Sequence, residues 1–466
     1  MIKPIKIKFG TDGWRAIIAR DYTLTNVRRV AEGTAIWMVN NGMKKVVIGH
    51  DCRFGGPMFS QATAEVFTAY GIEVHRAVDF VSTPMVSLGV VALEADLGVV
   101  ITASHNPPDY NGFKLKSALG GPSIPKDIAA VEEEIPDYSS IETGDRKANL
   151  ELIHEVDLEE IYYNKVMNSF DIDSIRNAKF GLVYDCMYGA GQRILPRILP
   201  SATMLHNDTN PGFQGQAPEP IERNLGEQSA TIKSLKDSNI GLATDGDADR
   251  IGLFDEEGEF VDSHNILMLL LYYLAVEKNM TGKVVVTFSV TEKMEKLAAQ
   301  LGMEIQITKI GFKYIAEIMI EEDVLVGGEE SGGLAVKGFI PERDGIWIGL
   351  TIMEFMAKSG KTLKELVAMI HDRVGTFKFN RDDLHLTEEK KKAVIAKCQE
   401  GNISDIGGIK VKEIQTLDGF KFFFENEGEW VMIRPSGTEP VLRVYAQAEN
   451  MDRVREILDT THAYFQ

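Results

Sequence analysis

The chain has 466 residues, of which 44% are hydrophobic and 26% charged, and its formal net charge is −19. This composition is typical of a globular protein of roughly three or four domains. The acidity argues against nucleic acid or an anionic membrane as the main partner, although a small anionic substrate needs only a local basic cluster. Three scattered cysteines, Cys52, Cys186 and Cys398, form neither a disulfide framework nor a zinc motif, which predicts a cytoplasmic protein.

The N-terminal part of the chain predicts a strand over residues 6–9, a turn over 10–15 and a helix over 25–40. It has no apolar signal core. The longest apolar run, 266–276, is too short to cross a bilayer. We interpret this run as a buried helix, with Asp262 or Ser263 as its cap.

From residue 44, a strand–helix–strand–strand pattern recurs three times, and each copy ends in a polar loop that contains glycine. The predicted strands and helices are 44–51, 58–70, 72–75 and 97–101 in the first copy, 178–185, 192–199, 203–206 and 239–244 in the second, and 282–287, 291–301, 303–307 and 323–326 in the third. Such alternation predicts right-handed crossovers and mainly parallel sheets, in which ligands bind beyond the carboxyl ends of the strands. The three polar loops are therefore candidate ligand sites.

The C-terminal part differs in composition and predicts an α+β unit. It contains a charged helix over 388–398, a hairpin over 409–425 around Asp418-Gly419, strands over 430–433 and 442–446, and a terminal helix from about Asp452. We predict four domains, three similar α/β domains with mixed or parallel sheets followed by the α+β domain, over 1–155, 156–260, 261–374 and 375–466.

The first polar loop places Ser104 at the exit of a buried strand, before the turn residues Asn106-Pro107-Pro108 and Asn111-Gly112. A serine in this setting can simply cap a turn. His105 and Lys114 flank it, and Arg15 lies on a turn that could reach the same place. Each of these three could instead be a surface or structural residue.

The second polar loop, Asp245-Gly246-Asp247-Ala248-Asp249-Arg250, alternates three carboxylates that can converge on one hard cation, and oxygen ligands suit Mg²⁺. An EF-hand is a poor alternative, because Arg250 stands where that loop needs glycine and a strand precedes the loop. A solvated acidic turn is the other alternative.

Two further loops carry polar groups suited to a sugar phosphate. Residues 327–333 contain Glu329, Glu330 and Ser331, which can bind vicinal hydroxyls, although a glycine-rich surface turn would look similar. Residues 434–440 offer an arginine, two hydroxyls and backbone N–H groups next to a glycine, with Arg443 close behind, as in a phosphate cradle. A capping box formed by Ser436 and Glu439 is the alternative.

Taken in order, these four motifs resemble those of the α-D-phosphohexomutase superfamily, which includes phosphoglucomutase and phosphomannomutase. The resemblance covers essentially the whole chain. It implies a heart-shaped arrangement of four domains around a central cleft. It also implies an enzyme that interconverts hexose 1-phosphates and hexose 6-phosphates through a phosphoserine and a 1,6-bisphosphate.

The resemblance implies a role for each motif. Ser104 would carry the phosphoryl group, and one Mg²⁺ per chain would be bound by Asp245, Asp247, Asp249 and the Ser104 phosphate. Arg15 and Arg250 would steady the phosphoryl group, and His105 or Lys114 would move the proton. The substrate-binding residues implied are Gly311, Lys313, Glu329, Ser331, Arg434, Ser436, Gly437, Thr438 and Arg443.

The resemblance also bears on the sugar. Phe312 follows Gly311, and Gly333 ends the loop 327–333. Many members that act on mannose or glucosamine phosphates instead have histidine at the positions of Phe312 and Gly333. Both differences favour glucose phosphate, with glucose 1,6-bisphosphate as primer and intermediate. Phosphomannomutase, phosphoglucosamine mutase, a metal-dependent sugar-phosphate phosphatase and a non-enzymatic binding protein remain alternatives. The partners implied are small hexose phosphates, in a monomer or small homo-oligomer.

Overall fold

The computed structural model describes residues 4–10, 13–178, 180–235, 238–435 and 441–465. Its first unit is a mixed sheet in the order β1-β5-β4-β2-β3-β6. Helices cover the sheet, so the strand before the Ser104 loop is buried along its whole length, as its unbroken apolar run predicts. The elements are β1 Trp14–Ile17, α1 Leu24–Asn40, β2 Lys45–His50, α2 Gly56–Ala69, β3 Glu73–Ala77, α3 Thr83–Ala92, β4 Leu97–Ile101, β5 Tyr110–Ser117, α4 Pro125–Glu134, α5 Ser140–Thr143 and β6 Ile153–Val156.

The second unit is a sheet in the order β11-β10-β9-β7-β8. Residues 245–250, which carry the three aspartates and are called the carboxylate loop below, connect its strands β9 and β10. The elements are α6 Leu158–Ser169, α7 Ile172–Asn177, β7 Gly181–Asp185, α8 Ile194–Ile198, β8 Thr203–Leu205, α9 Gly226–Ser234, β9 Ser238–Thr244, β10 Ile251–Phe254 and β11 Phe260–Val261.

The third unit has the strand order β13-β12-β14-β15. The predicted buried helix over 266–276 is present as α10 up to Tyr272 and continues as a π-helical turn over Tyr273–Glu277, in which Val276 is exposed. The Asp262 side chain caps α10 by accepting from the Asn265 N–H. The elements are α10 Ser263–Tyr272, β12 Lys283–Thr287, α11 Lys293–Gln300, β13 Ile305–Thr308, α12 Phe312–Glu321, β14 Val324–Gly328, β15 Leu334–Val336, α13 Gly345–Ser359 and α14 Leu363–Val374.

The fourth unit is an antiparallel sheet in the order β16-β21-β20-β19-β18-β17, with helices beside it, which confirms the predicted α+β class. The elements are β16 Lys378–His385, α15 Glu388–Gln399, β17 Asp405–Ile406, β18 Ile409–Gln415, β19 Phe420–Phe424, β20 Trp430–Pro435, β21 Val441–Ala448 and α16 Met451–Phe465.

The repeat inferred from the sequence is present as a shared topology. The first unit has four parallel strands, since β6 pairs in parallel with β3 at the edge of its sheet. In each of the first three units, β2–β4, β7–β9 or β12–β14 run parallel, and the last of these three strands along the chain is followed by an antiparallel partner. All three polar loops connect that last parallel strand to its antiparallel partner. The sheets are therefore mixed, and the loops occupy equivalent positions.

Some predicted elements differ from the structure. Residues 6–9 form no strand, and β1 instead starts at Trp14, where it pairs with β5. The sequence patterns did not reveal β5, β16 or the helix α3, because each mixes charged or small residues with apolar ones. The four domain boundaries remain a prediction.

The cores of the units are not equivalent. One apolar cluster runs continuously from Val47 in the first unit to Phe377 beyond the third, whereas the fourth unit has its own core around Val431 and Ile457. Among the described residues, no helix combines the length and apolarity needed to cross a membrane.

Candidate active site

Ser104 lies just beyond the carboxyl end of β4 and is only 1% exposed. Its φ of 54° puts it in the left-handed region, which non-glycine residues rarely adopt. The Ser104 N–H donates to Thr102 Oγ1 at 2.9 Å, and its hydroxyl donates to Asp245 Oδ2 at 2.7 Å. His105 Nδ1 lies 3.3 Å from the same hydroxyl oxygen. This unusual backbone therefore aims the hydroxyl at the carboxylate loop of the second unit.

The Ser104 loop is held from below by Arg53, a residue that the motif search missed. Its Nη2 donates to the carbonyls of Ser104 and Asn106, both at 2.6 Å, and its Nη1 to those of Pro107 and Tyr110 at 2.8 and 3.0 Å. The side chain is fully buried. A charged pair directly after a buried strand, Asp51 and Arg53, was the signal available in the sequence.

Asp51 links this arginine to the loop from the other side. Its Oδ2 accepts from Thr102 Oγ1 at 2.5 Å and lies 3.4 Å from Arg53 Nε. Burial raises the pKa of Asp51 to about 6, although Arg53 and Thr102 oppose the rise. The ends of β2 and β4 are thus joined by one polar network that fixes Ser104.

The three carboxylates converge as predicted. Asp245, Asp247 and Asp249 are fully buried, and one oxygen of each lies within 4.8 Å of the others. Burial, together with the two neighbouring carboxylates, raises the pKa of Asp245 well above its usual value. A solvated turn is thereby excluded, and the flanking antiparallel strands β9 and β10 exclude an EF-hand.

The Oδ2 atoms of Asp247 and Asp249 form ion pairs with cations from other units. Lys114 Nζ, on β5, lies 2.8 Å from Asp247 Oδ2 and 3.3 Å from Asp249 Oδ2. Although burial would raise the pKa of Asp247, Lys114 lowers it overall. The Oδ1 atoms of Asp247 and Asp249 have no hydrogen-bond partner among the described residues. Buried oxygens left in this way fit the ligand set of a hard divalent cation.

Above this network lies a cleft of about 540 Å³, with His105 and Asn106 among its lining residues. In a chain of net charge −19, its described lining is locally basic, with Glu219, Glu329 and Glu330 as the acidic groups. The lysines and arginines that line it are Lys8, Arg15, Arg250, Lys313, Arg343, Arg381, Arg434 and Arg443. Such a lining favours an anionic ligand.

The residues predicted to contact the phosphoryl group lie at the floor of the cleft. Arg15 Nη1 donates to Asn106 Oδ1 at 2.6 Å, and the Arg250 N–H donates to Asp245 Oδ1 at 3.0 Å. Desolvation, reinforced by Arg250, Arg15 and Lys114, lowers the pKa of His105 well below its usual value. The imidazole is consequently in a setting that favours its neutral form.

The predicted sugar-binding residues reach the same cleft from the third unit. Gly311, Lys313, Glu329 and Ser331 all line it. Gly311 precedes α12 with a φ of 136°, a conformation that L side chains rarely adopt. These four predicted residues therefore line one cleft, together with Arg343, which the sequence patterns did not suggest. Their role in sugar binding stays a prediction.

The fourth unit closes the far end of the cleft. Arg434 Nε donates to Asp418 Oδ2 at 3.2 Å, and Arg443 Nε lies 3.6 Å from Asp383 Oδ1. Ser436, Gly437 and Thr438, and the possible capping box with Glu439, lie outside the described residues.

Arg381, on β16, and Glu219 are cleft residues that the sequence patterns did not suggest. Arg381 Nη2 lies 3.0 Å from Asp383 Oδ2 and 3.8 Å from Glu219 Oε1, and that same Glu219 oxygen lies 3.7 Å from Arg250 Nη1. Glu219 therefore stands between cations of the second and fourth units.

Comparison with protein families gives a match in each unit. The models described as phosphoglucomutase/phosphomannomutase alpha/beta/alpha domains I, II and III match residues 6–142, 160–258 and 262–373. The model of the C-terminal domain of the same family matches residues 385–462.

Individual proteins resemble the chain over nearly its whole length. It is 31% identical over 460 residues to a phosphoglucomutase/phosphomannomutase of Thermococcus kodakarensis, covering 97% of this chain and 96% of the relative. It is 32% identical over 475 residues to a probable phosphoglucosamine mutase of Methanosphaera stadtmanae, covering 98% and 97%. The crystal structure of a putative phosphomannomutase from Thermus thermophilus superposes with a TM-score of 0.87 at 31% identity, covering 99% of both chains.

Proposed function

Because the chain belongs to the phosphoglucomutase/phosphomannomutase family, we propose that it interconverts hexose 1-phosphate and hexose 6-phosphate through a phosphorylated Ser104. The observation that carries this proposal is the Ser104 hydroxyl, 2.7 Å from Asp245 in a buried carboxylate cluster beneath a basic cleft. That setting suits a phosphate relay, since it joins a hydroxyl to a cation site and to arginines that bind phosphate.

The reaction has two half-reactions. First, a hydroxyl oxygen of the hexose monophosphate bonds to the phosphorus on Ser104, the Oγ–P bond breaks, and the hydroxyl proton passes to a base. The resulting 1,6-bisphosphate then turns end over end in the cleft. In the second half-reaction, Ser104 Oγ takes the other phosphoryl group and a proton returns to the sugar oxygen.

Asp245, Asp247 and Asp249 would hold one Mg²⁺ together with an oxygen of the Ser104 phosphate. The Oδ1 atoms of Asp247 and Asp249, which have no hydrogen-bond partner within the described part of the chain, support this assignment. A bound Mg²⁺ supplies charge neutralisation for the transferring phosphoryl group. Arg15 and Arg250 would steady that group, and Arg434 and Arg443 would hold the distant phosphate.

His105 is the better candidate for the base. Its Nδ1 lies 3.3 Å from the Ser104 hydroxyl, at the floor of the cleft where the sugar would approach. Lys114 is 1% exposed and already bonded to two carboxylates. A lysine in that position holds the carboxylates together, and Lys114 is not among the residues that line the cleft where the sugar would bind.

For the sugar, we favour glucose, with glucose 1,6-bisphosphate as primer. Gly311-Phe312 and Gly333 support this preference, because both positions lack the histidine found in many mannose- and glucosamine-type members. Mannose and glucosamine phosphates remain the alternatives, since the relatives include phosphoglucosamine mutases.

The test is a coupled assay with glucose, mannose and glucosamine 1-phosphates, with and without Mg²⁺ and the matching bisphosphate. We expect turnover that requires both additions, with glucose 1-phosphate giving the largest kcat/KM. Ser104→Ala should abolish turnover while the protein still folds. Absence of mutase activity on all three sugars would refute the proposal, and steady release of inorganic phosphate would indicate a phosphatase.

A further inference from the structure

The metal-binding carboxylates and the sugar-binding carboxylate belong to different units, yet one side chain touches both. Arg343, just before α13, places Nη2 2.7 Å from Asp249 Oδ2 and Nη1 3.9 Å from Glu329 Oε2. The side chain is 5% exposed and lines the cleft. Its guanidinium also lies over the ring of Phe312, with Cζ 5.1 Å from the ring centroid. A planar, permanently charged fork is the side chain best suited to such a three-way contact.

Gly333, the last residue of the loop 327–333, packs directly against the Arg343 side chain. A Cβ placed on Gly333 would lie 2.5 Å from Arg343 Cδ and 3.2 Å from Glu329 Oε2. The backbone of Gly333 is not in the left-handed region, so steric exclusion by Arg343 and Glu329 accounts for the glycine. An arginine at 343 and any side chain at 333 therefore compete for the same space.

We propose that Arg343 is a positioning residue that fixes the sugar-binding Glu329 relative to the metal-binding Asp249, and that Gly333 is small to admit it. The inference rests on the proposed function for its choice of substrate. Arg343 shares Asp249 Oδ2 with Lys114, so it also withdraws negative charge from the cation site. Loss of the guanidinium should then strengthen metal binding and weaken sugar binding, two changes of opposite sign.

The first experiment replaces Arg343 by Met, which keeps the apolar stem and removes the charge. In the full-length protein with unphosphorylated Ser104, we expect calorimetric titration to show Mg²⁺ bound about tenfold more tightly, because one cation near Asp249 is gone. We expect KM for the preferred hexose 1-phosphate to rise about tenfold and kcat to fall, because Glu329 is no longer held. Arg343→Lys, which keeps the charge, should restore Mg²⁺ affinity to the wild-type value but not KM.

Glu354→Gln provides a matched structural control. Glu354, on α13, is 2% exposed, accepts from Tyr273 at 2.7 Å and pairs with Lys278, and none of these three residues lines the cleft. The Glu354→Gln substitution should lower the melting temperature without changing Mg²⁺ affinity or KM. If Arg343→Met behaves like this control, or if it weakens Mg²⁺ binding, the proposal is wrong.

The second experiment is a double-mutant cycle with Gly333→Ala. In the wild-type background, the new methyl group should displace Arg343 and raise KM about tenfold, whereas after Arg343→Ala it should add less than about twofold. Additive effects would overturn the steric part of the proposal. The Mg²⁺ titration needs no turnover, so an Arg343 effect on metal affinity can be seen even if the proposed mutase activity fails.

Discussion

Ser104 shows how much of a functional residue lies outside its own motif. The sequence indicated that its hydroxyl stands on a loop at a strand end, and the structure adds the left-handed backbone and the support beneath it. That support is Arg53, which donates to four carbonyls of the loop. The Ser104 carbonyl is buried and would lose this donor, whereas the Pro107 carbonyl also accepts from the Tyr110 N–H at 3.1 Å. Because one guanidinium joins all four carbonyls, we expect the loop to depend on the full fork.

Arg53→Lys tests this dependence. A lysine has one nitrogen and cannot reach the four carbonyls that two nitrogens of Arg53 serve. We expect the free energy of unfolding to fall by about 2–4 kcal/mol, measured by urea denaturation, and kcat to fall as the Ser104 loop loses its geometry. Arg20→Lys is the control, since Arg20 is 68% exposed and its ion pair with Asp21 lies at the surface. Equal stability of the two variants would contradict the role given to Arg53.

At the scale of elements, the sequence predicted the strands that lead into the three repeated polar loops but not the antiparallel strands that leave them. Strands such as β4 are apolar throughout and bounded by turn residues, so the pattern identifies them. β5 carries Lys114 and Lys116, and Lys116 is fully buried because Glu342 of the third unit lies 2.5 Å away. A strand whose lysines point into interfaces between units has no periodic hydrophobic signal, and only the assembled fold explains it.

The same limit applies to the candidate site. Residues inside ordered motifs, such as Asp247 and Glu329, could be named from the sequence. Arg343 and Arg381 could not, because each acts through partners on distant elements and stands in no recognisable motif. Long-range ion pairs determine these positions, and a single sequence does not contain that information.

The contact between the third and fourth units contains another buried cation, Lys421 on β19. Its Nζ donates to the carbonyls of Phe288 and Val290, both at 3.3 Å, and lies 4.0 Å from the Trp430 ring centroid. Burial lowers the pKa of Lys421 from 10.5 to about 8, although Glu292 and Glu295 oppose the change. At pH values at which Lys421 is protonated in the native protein, the buried ammonium therefore lowers the free energy of unfolding.

The sign of the pH dependence follows from proton binding. Between about pH 8 and about pH 10.5, the unfolded chain holds the Lys421 proton more tightly than the native protein does, so this residue's contribution to stability rises with pH. Over the whole window the gain is about 3 kcal/mol. Lys421→Met should remove this gain in stability. The melting temperature of the wild type minus that of Lys421→Met should therefore increase from pH 7 to pH 10. Lys233→Met, at an exposed site, is the control. If the melting temperatures of wild type and Lys421→Met changed in parallel with pH, the prediction would be wrong.

The whole molecule divides into two parts that have separate apolar cores. The first three units share a continuous apolar core. The fourth unit packs on them through a small cluster formed by Phe288, Trp430, Met432 and Tyr445, and Glu292 of the third unit accepts hydrogen bonds from Trp430 and Gln447. The cleft lies where these parts meet, with Arg250 and Arg343 on one side and Arg381, Arg434 and Arg443 on the other. An anion bound there would be held from both sides, which favours closure of the fourth unit over the substrate.

Two electrostatic effects then act on an incoming hexose phosphate. The net charge of −19 repels it at long range, and the basic lining of the cleft attracts it at short range. Because screening acts over about 10 Å at 0.1 M salt, added salt weakens both effects. A rise in KM with salt would mean that the cleft dominates, and a fall would mean that the net charge dominates.

We expect the cleft to dominate, because its cations surround the phosphate in a partly desolvated space where charges interact more strongly than at the surface. KM for the preferred hexose 1-phosphate should rise about threefold or more between 20 and 200 mM sodium chloride. Arg381→Gln, which removes a charge from the lining, should raise KM at low salt and flatten its salt dependence. Arg20→Gln makes the same change in net charge at an exposed site and should leave both unchanged. A KM that falls with salt, or identical behaviour of the two variants, would show that the local field of the cleft does not guide binding.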